Sequence, residues 1–200
     1  MTARSLAAAL SLLALAALPA LAQDKPKAPA GAPDNAEMEA FMKASTPGEQ
    51  HKQIARLVGD WTFTNRAWMA PGQPPMESTG TIHAETILGG RYVHAVWQGS
   101  MMGMPFEGRE TDGYDNVAKQ YVSTWMDNMG TGIMQMKGTC EDNGKKCTSK
   151  GETMDAMTGK PSYMRSVVTW TGTDSFTNEM YGPGPDGKET KMMEIVAKRK

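Results

Sequence analysis

The sequence predicts an all-β protein: an antiparallel up-and-down barrel of about ten strands with a short N-terminal helical segment. Three observations predict it. From Trp61 onward the chain breaks into short β-prone runs separated by turn residues. No helix-length segment separates consecutive runs, which disfavours a parallel α/β fold. One twisted sheet of that many strands curls and closes, which removes its edges.

The runs are Trp61–Met69, Ser78–Ile87, Arg91–Gly99, Phe106–Tyr114, Gln120–Asp127, Gly132–Cys140, Cys147–Met154, Ser162–Thr171, Ser175–Tyr181 and Thr190–Lys198. Between them stand turn formers such as Gly89-Gly90, Asp115-Asn116, Asn143-Gly144, Thr158-Gly159 and Pro185-Asp186-Gly187. The strand faces are mixed. Arg91, Val93, Ala95 and Trp97 fall on one side, and Tyr92, His94 and Val96 on the other. Such mixing suits a barrel with a partly polar lumen.

Ahead of the strands the chain divides into 1–22, 23–35 and the start of a domain over 36–200. Arg4 precedes an apolar run, Leu6 to Leu21, that ends in Ala20-Leu21-Ala22. This is the pattern of a signal peptide cleaved before Gln23. A periplasmic or secreted protein is expected, with no membrane span after cleavage. Residues 23–35 carry Pro26, Pro29 and Pro33 among Ala, Lys and Gly, and read as an extended linker. A first helix is expected over Ala36–Ala44. Asp34 with Glu37 forms a capping box, and Met38, Phe41 and Met42 share one face. A second is expected to start at Thr46-Pro47-Gly48-Glu49, with Thr46 as cap, and to end at Gly59 in the left-handed conformation.

Charge is balanced, with 21 Lys+Arg against 22 Asp+Glu, so nothing marks a nucleic-acid partner. Cys140 and Cys147 flank an Asn-Gly hairpin signal that sets them opposite each other. A disulfide is expected, in keeping with an oxidising compartment.

The series Leu57-Val58-Gly59-Asp60-Trp61, Leu88-Gly89-Gly90-Arg91, Met101-Met102-Gly103-Met104-Pro105-Phe106-Glu107-Gly108 and Gly113-Tyr114-Asp115-Asn116 closely resembles a bacterial family catalogued as domain of unknown function 1579. The resemblance runs from about His51 to Lys200. That family is similar to the calycins, the lipocalin-like barrels. The resemblance implies a barrel closed at one end by an N-terminal helix, and it brings no catalytic residues with it. Calycins also carry Gly-x-Trp on the first strand under a cation from the last. Gly59 and Trp61 match that motif, and Arg199 is the expected cation, with Lys198 as the alternative.

No His-Glu-x-x-His, phosphate-binding glycine loop or Gly-x-Ser-x-Gly elbow occurs, so no metal or cofactor is expected. His51 reads as a surface helix residue, and His83 and His94 as ordinary strand histidines. Glu110 and Asp112 alternate on one strand face. The favoured expectation is a solvated outer face with Arg109 and Arg165 as partners; the alternative is a carboxylate pair in the lumen. Arg91, Trp97, Trp125 and Asp127 are the expected pocket residues, an aromatic wall beside charged groups. The 18 methionines read as soft packing for lumen and mouth, with Met134 and Met136 on one strand face.

A small, largely apolar ligand held in a Met- and Trp-lined lumen is the leading expectation. One alternative is an isomerase or hydrolase of small molecules that uses a lumen carboxylate or His94. Another is Cu(I) held by methionine thioethers.

Overall fold

The computed structural model describes residues 34–70, 72–155 and 158–200. The expected signal peptide and the linker up to Pro33 lie outside the described residues.

Ten antiparallel strands close into a barrel: β1 (Gly59–Ala67), β2 (Met76–Ile87), β3 (Tyr92–Met101), β4 (Met104–Asp115), β5 (Gln120–Asp127), β6 (Met134–Glu141), β7 (Lys146–Met154), β8 (Pro161–Gly172), β9 (Ser175–Pro183) and β10 (Glu189–Arg199). Each strand pairs with its sequence neighbours, and β10 closes the ring on β1. All ten expected runs are strands.

The register is fixed locally at several turns. Cys140 stands opposite Cys147 and the two form a disulfide. The connection is four residues long, 142–145, with Asp142, Asn143 and Gly144 all at positive φ. It is longer than a two-residue Asn-Gly hairpin but has the same centre, so the cysteine pairing is unchanged.

The helical segment follows expectation only in part. Helix α1 (Asn35–Ser45) has the expected capping box from Asp34 and Glu37. Its apolar face, Met38, Phe41 and Met42, is exposed, with Phe41 keeping 65% of its surface. Helix α2 (Glu49–Ile54) starts at Gly48, not at Thr46. Thr46 instead finishes α1, where its hydroxyl donates to the Met42 carbonyl. His51 is not a surface residue; it is 7% exposed. Its Nδ1 accepts the Gly48 N–H at 3.0 Å, and Tyr114 gives it a second backbone hydrogen bond. Burial, aided by nearby Arg91, pushes its pKa down, so the neutral ring is the favoured form.

A single 3₁₀ turn, Ala55–Leu57, carries the chain from α2 into β1. Gly59 therefore opens a strand and does not cap a helix. Its φ of 122° is one that side chains avoid, and a Cβ there would lie 2.7 Å from the Arg199 guanidinium.

Trp61 is fully buried at this end, beneath that guanidinium at 4.1 Å. Its indole N–H donates to the Leu57 carbonyl at 2.8 Å, and its ring meets Trp170 and Phe176 edge to face. Arg199 is thus the cation over the indole, and Lys198 is not. Arg199 also donates to the Val58 and Arg56 carbonyls, which ties the last strand to the entry turn. The core fills the side of the barrel formed by β10, β1, β2 and β3, with Phe63, Ile82, Val93, Ala95, Trp97, Ile195 and Ala197 pointing inward.

Candidate functional site

The opposite side of the barrel is not filled. A cavity of about 190 Å³ runs from Gln53, Ile54 and Leu57 beneath α2 to Met134, Met164 and Met180 near the other end. One water needs only about 10–15 Å³ on this measure, so the space suits a small molecule.

Small side chains create that space. Ser123 on β5, Ser149 on β7 and Ser166 on β8 face it, as do Gly113 and Gly138. Gly108 serves the wall differently. A Cβ there would lie 2.5 Å from the Trp125 ring, so glycine is what lets this indole lie flat along β4.

Trp97 and Trp125 form the aromatic wall, their rings 5.8 Å apart and edge to face. Trp125 also stacks on Phe106 at 6.2 Å. Each indole is aimed by a carboxylate: Trp97 Nε1 donates to Glu110 at 2.9 Å, and Trp125 Nε1 donates to Asp127 at 2.7 Å. Two polar devices complete the lining. Ser166 donates to Asn178 at 2.6 Å, and the Tyr121 hydroxyl makes a short hydrogen bond to Gln53 that latches α2 over this mouth.

The expected pocket residues separate at this point. Trp97, Trp125, Met134 and Met136 all line the cavity. Asp127 stands behind Trp125 as its hydrogen-bond partner, off the wall. Arg91 is not brought to the cavity. It lies before β3, exposed, with its guanidinium on the Leu88 carbonyl at 3.1 Å. Counting parity back from Trp97 carries Arg91 inward, but the chain has already turned out of the strand there.

The favoured outer-face expectation for Glu110 and Asp112 is overturned. Both line the cavity and are half-buried. Arg109 and Arg165 stay outside and pair with Glu107 and Glu189. Burial pushes the Glu110 carboxyl up to about 7, against the pull of the Trp97 hydrogen bond. Asp112 is held well above the usual carboxylate range, by burial first and then by the charge of Glu110. A pair of this kind can hold, donate or accept a proton near neutral pH, which is the electrostatic requirement of the acid–base alternative. His94 does not join it; its ring bonds Thr111 at 3.1 Å, away from the cavity wall.

Sequence reasoning missed Ser123, Ser149, Ser166, Asn178, Met164 and Met180 on the wall. Counting inward positions by twos from Trp125 reaches Ser123 and Tyr121; the others need the strand register. The exposed methionines also acquire a place. Met69, Met76, Met102, Met104, Met129 and Met154 all lie at or near the strand ends opposite α2. Together with Met134, Met164 and Met180 below them, they make that mouth soft and apolar.

Among the described residues no helix is long and apolar enough to cross a membrane, and no group of His, Cys, Asp and Glu is placed to hold a metal. No curated protein matches the sequence. Solved barrels do match in shape. Rv2717c from M. tuberculosis is 14% identical with a TM-score of 0.59, over 78% of this chain and 99% of that one. The S-type phycobiliprotein lyase CPES from Guillardia theta is 10% identical with a TM-score of 0.50, over 80% of this chain and 96% of that one. At such identities the likeness shows the fold alone. A model of the family described as "Protein of unknown function (DUF1579)" matches residues 46–199, and the chain belongs to that family.

Proposed function

We propose that this protein is an exported binding module that holds a small, largely apolar molecule in its barrel lumen. The observation that carries this is the cavity itself: about 190 Å³, with Trp97, Trp125 and four methionines as its apolar wall and polar side chains such as Glu110, Asp112 and Ser166 set among them. Thioether side chains adapt to ligands of varied shape, and an apolar mouth eases their entry. The disulfide supports export, because such bonds persist in oxidising compartments.

The test is titration with anilinonaphthalene, a neutral probe whose emission rises in apolar surroundings. Saturable one-to-one binding is expected. Ser123→Phe, which places a ring opposite Asp112 and beside Met136, is expected to weaken it about tenfold or more. Overpacking costs roughly 1–3 kcal/mol, so Ser166→Leu serves where Ser123→Phe does not fold. Unsaturable binding, or undiminished binding in both variants, overturns the proposal. Export is checked by mass spectrometry on protein recovered outside the cytoplasm. The mature chain is expected to begin at Gln23; a chain still beginning at Met1 contradicts it.

A further inference from the structure

We propose that the molecule held in the lumen carries a protonated amine, seated between Glu110 and Asp112 with its apolar body against Trp97 and Trp125. This deepens the ligand-binding proposal and rests on it.

The two carboxyl groups project from the same inner face of β4, two residues apart. Their ladder neighbours offer no counter-charge: Ala95 and Trp125 flank Glu110, and Val93 and Ser123 flank Asp112. Glu110 has one partner, the Trp97 indole, and Asp112 has no hydrogen bond or ion pair among the described residues. Among the described residues no Lys, Arg or His lines the cavity. Arg56 is stacked 4.2 Å over the ring of Trp170, a lining residue, and is not itself on the wall.

Elsewhere the barrel does pair its carboxylates. Glu107 meets Arg109, Glu179 meets Lys191 and Glu189 meets Arg165. The inner pair alone among these lines the cavity, half-buried and without a cation. A buried acid in that state is uncomplemented, and a ligand that brings its own positive charge completes it. The indole faces favour the same ligand, because a cation is attracted by the ring quadrupole. A carboxylate ligand meets repulsion, and a neutral one gains a hydrogen bond at most.

Binding is also coupled to protons. The empty pair holds protons because burial disfavours its charge. An ammonium group on the ligand favours the ionised form, so binding releases protons and strengthens as pH rises through neutrality, while the amine stays charged. The other titratable group on the wall is the Tyr121 phenol, bonded to Gln53. Around β4, His94 of β3 bonds Thr111, Asp127 of β5 bonds Trp125, and His51 of α2 is held by Gly48 and Tyr114. Tyr92 of β3 lies against Gly113, and Glu49 and Lys52 of α2 pair with each other outside.

The experiment is calorimetric titration of the full protein with phenethylamine, phenethyl alcohol and phenylacetate at pH 6 and pH 8, in buffers of differing ionisation enthalpy. At the higher pH the amine is expected to bind at least about tenfold tighter than the alcohol, with proton release, and phenylacetate is expected to bind weakest. In the Glu110→Gln/Asp112→Asn variant the preference for amine over alcohol is expected to vanish while alcohol binding persists, which also shows that the variant is folded. Equal binding of amine and alcohol, tighter binding of phenylacetate, or an unchanged amine preference in the variant overturns the inference. If anilinonaphthalene binds and the amine shows no advantage, the cavity stands and the amine falls. If neither the probe nor any of the three binds, the ligand-binding proposal fails as well.

Discussion

Replacing Arg199 by alanine is expected to cost the barrel about 3 kcal/mol. This guanidinium holds the closed end together from both sides. It lies 4.1 Å over Trp61, a contact worth roughly 0.5–2 kcal/mol. It donates to the Val58 carbonyl at 2.6 Å and the Arg56 carbonyl at 2.9 Å, and these are the backbone groups of the turn that carries α2 into β1. Hydrogen bonds to a charged donor contribute roughly 1.5–3 kcal/mol each, and their deletion costs are not additive. The ion pair with Asp174 adds little, because that carboxylate is largely exposed. Lysine at 199 is expected to recover less than half of the loss, since a single ammonium group cannot reach two carbonyls and also lie flat on the ring. Urea midpoints for the three proteins measure this directly. A loss below about 1 kcal/mol for Arg199→Ala shows that the closed end is held by the aromatic cluster without the cation.

The legibility of this contact in the sequence shows what kind of information a sequence of this class carries. Strand existence is local: each run announces itself through β-prone residues, and each break through Gly, Pro, Asn or Asp. That is why all ten strands and the Cys140–Cys147 pair were readable; the contact of β10 with β1 is not local, and the expectation of Arg199 over Trp61 came from the resemblance to calycins. The inside of the barrel was not readable on β4. Its outward face carries Glu107, Arg109 and Thr111, and its inward face carries Gly108, Glu110 and Asp112. With charge on both faces, polarity cannot orient the strand. Solvation then argues for putting the carboxylates outside, and the fold does the opposite at the one place where they face a cavity. His51 was hidden for a different reason. Its burial depends on Tyr114, far along the chain, and on α2 folding back over the barrel mouth. The methionines needed the register: the same residue type lines the lumen at Met136 and faces solvent at Met102. Glycines within strands were the missed signal. Gly108 marks where an indole passes too close for any side chain.

The carboxyl pair sets the pH dependence of stability, and its removal is the second large effect expected. Glu110 holds its proton up to about pH 7 in the folded barrel against an ordinary value of 4.5, and Asp112 is shifted in the same direction. Between those limits the folded state binds more protons than the unfolded chain, so stability falls as pH rises, and the full penalty is present above the folded value. His51 acts with the opposite sign. Its folded pKa is lowered from 6.5, so below that pH the unfolded chain takes up a proton that the folded one resists, and stability falls as pH drops. Wild-type stability is therefore expected to decline on both sides of a weakly acidic maximum. Glu110→Gln/Asp112→Asn keeps the shape of both side chains and the hydrogen bond to Trp97, but has no charge to bury. At pH 9 it is expected to be more stable than wild type by roughly 1–3 kcal/mol, a rise of several degrees in Tm at about 2–4 °C per kcal/mol. At pH 5, where the wild-type pair is largely protonated, the difference is expected to shrink toward zero, and the His51-driven loss at low pH is expected to persist in both proteins. Denaturant midpoints from pH 5 to 9 decide the matter. A wild type equally stable at pH 6 and 9, or a double variant weaker than wild type at pH 9, shows that the pair is stabilised in its ionised form by something in the barrel. In that case a cation other than the ligand's must reach it.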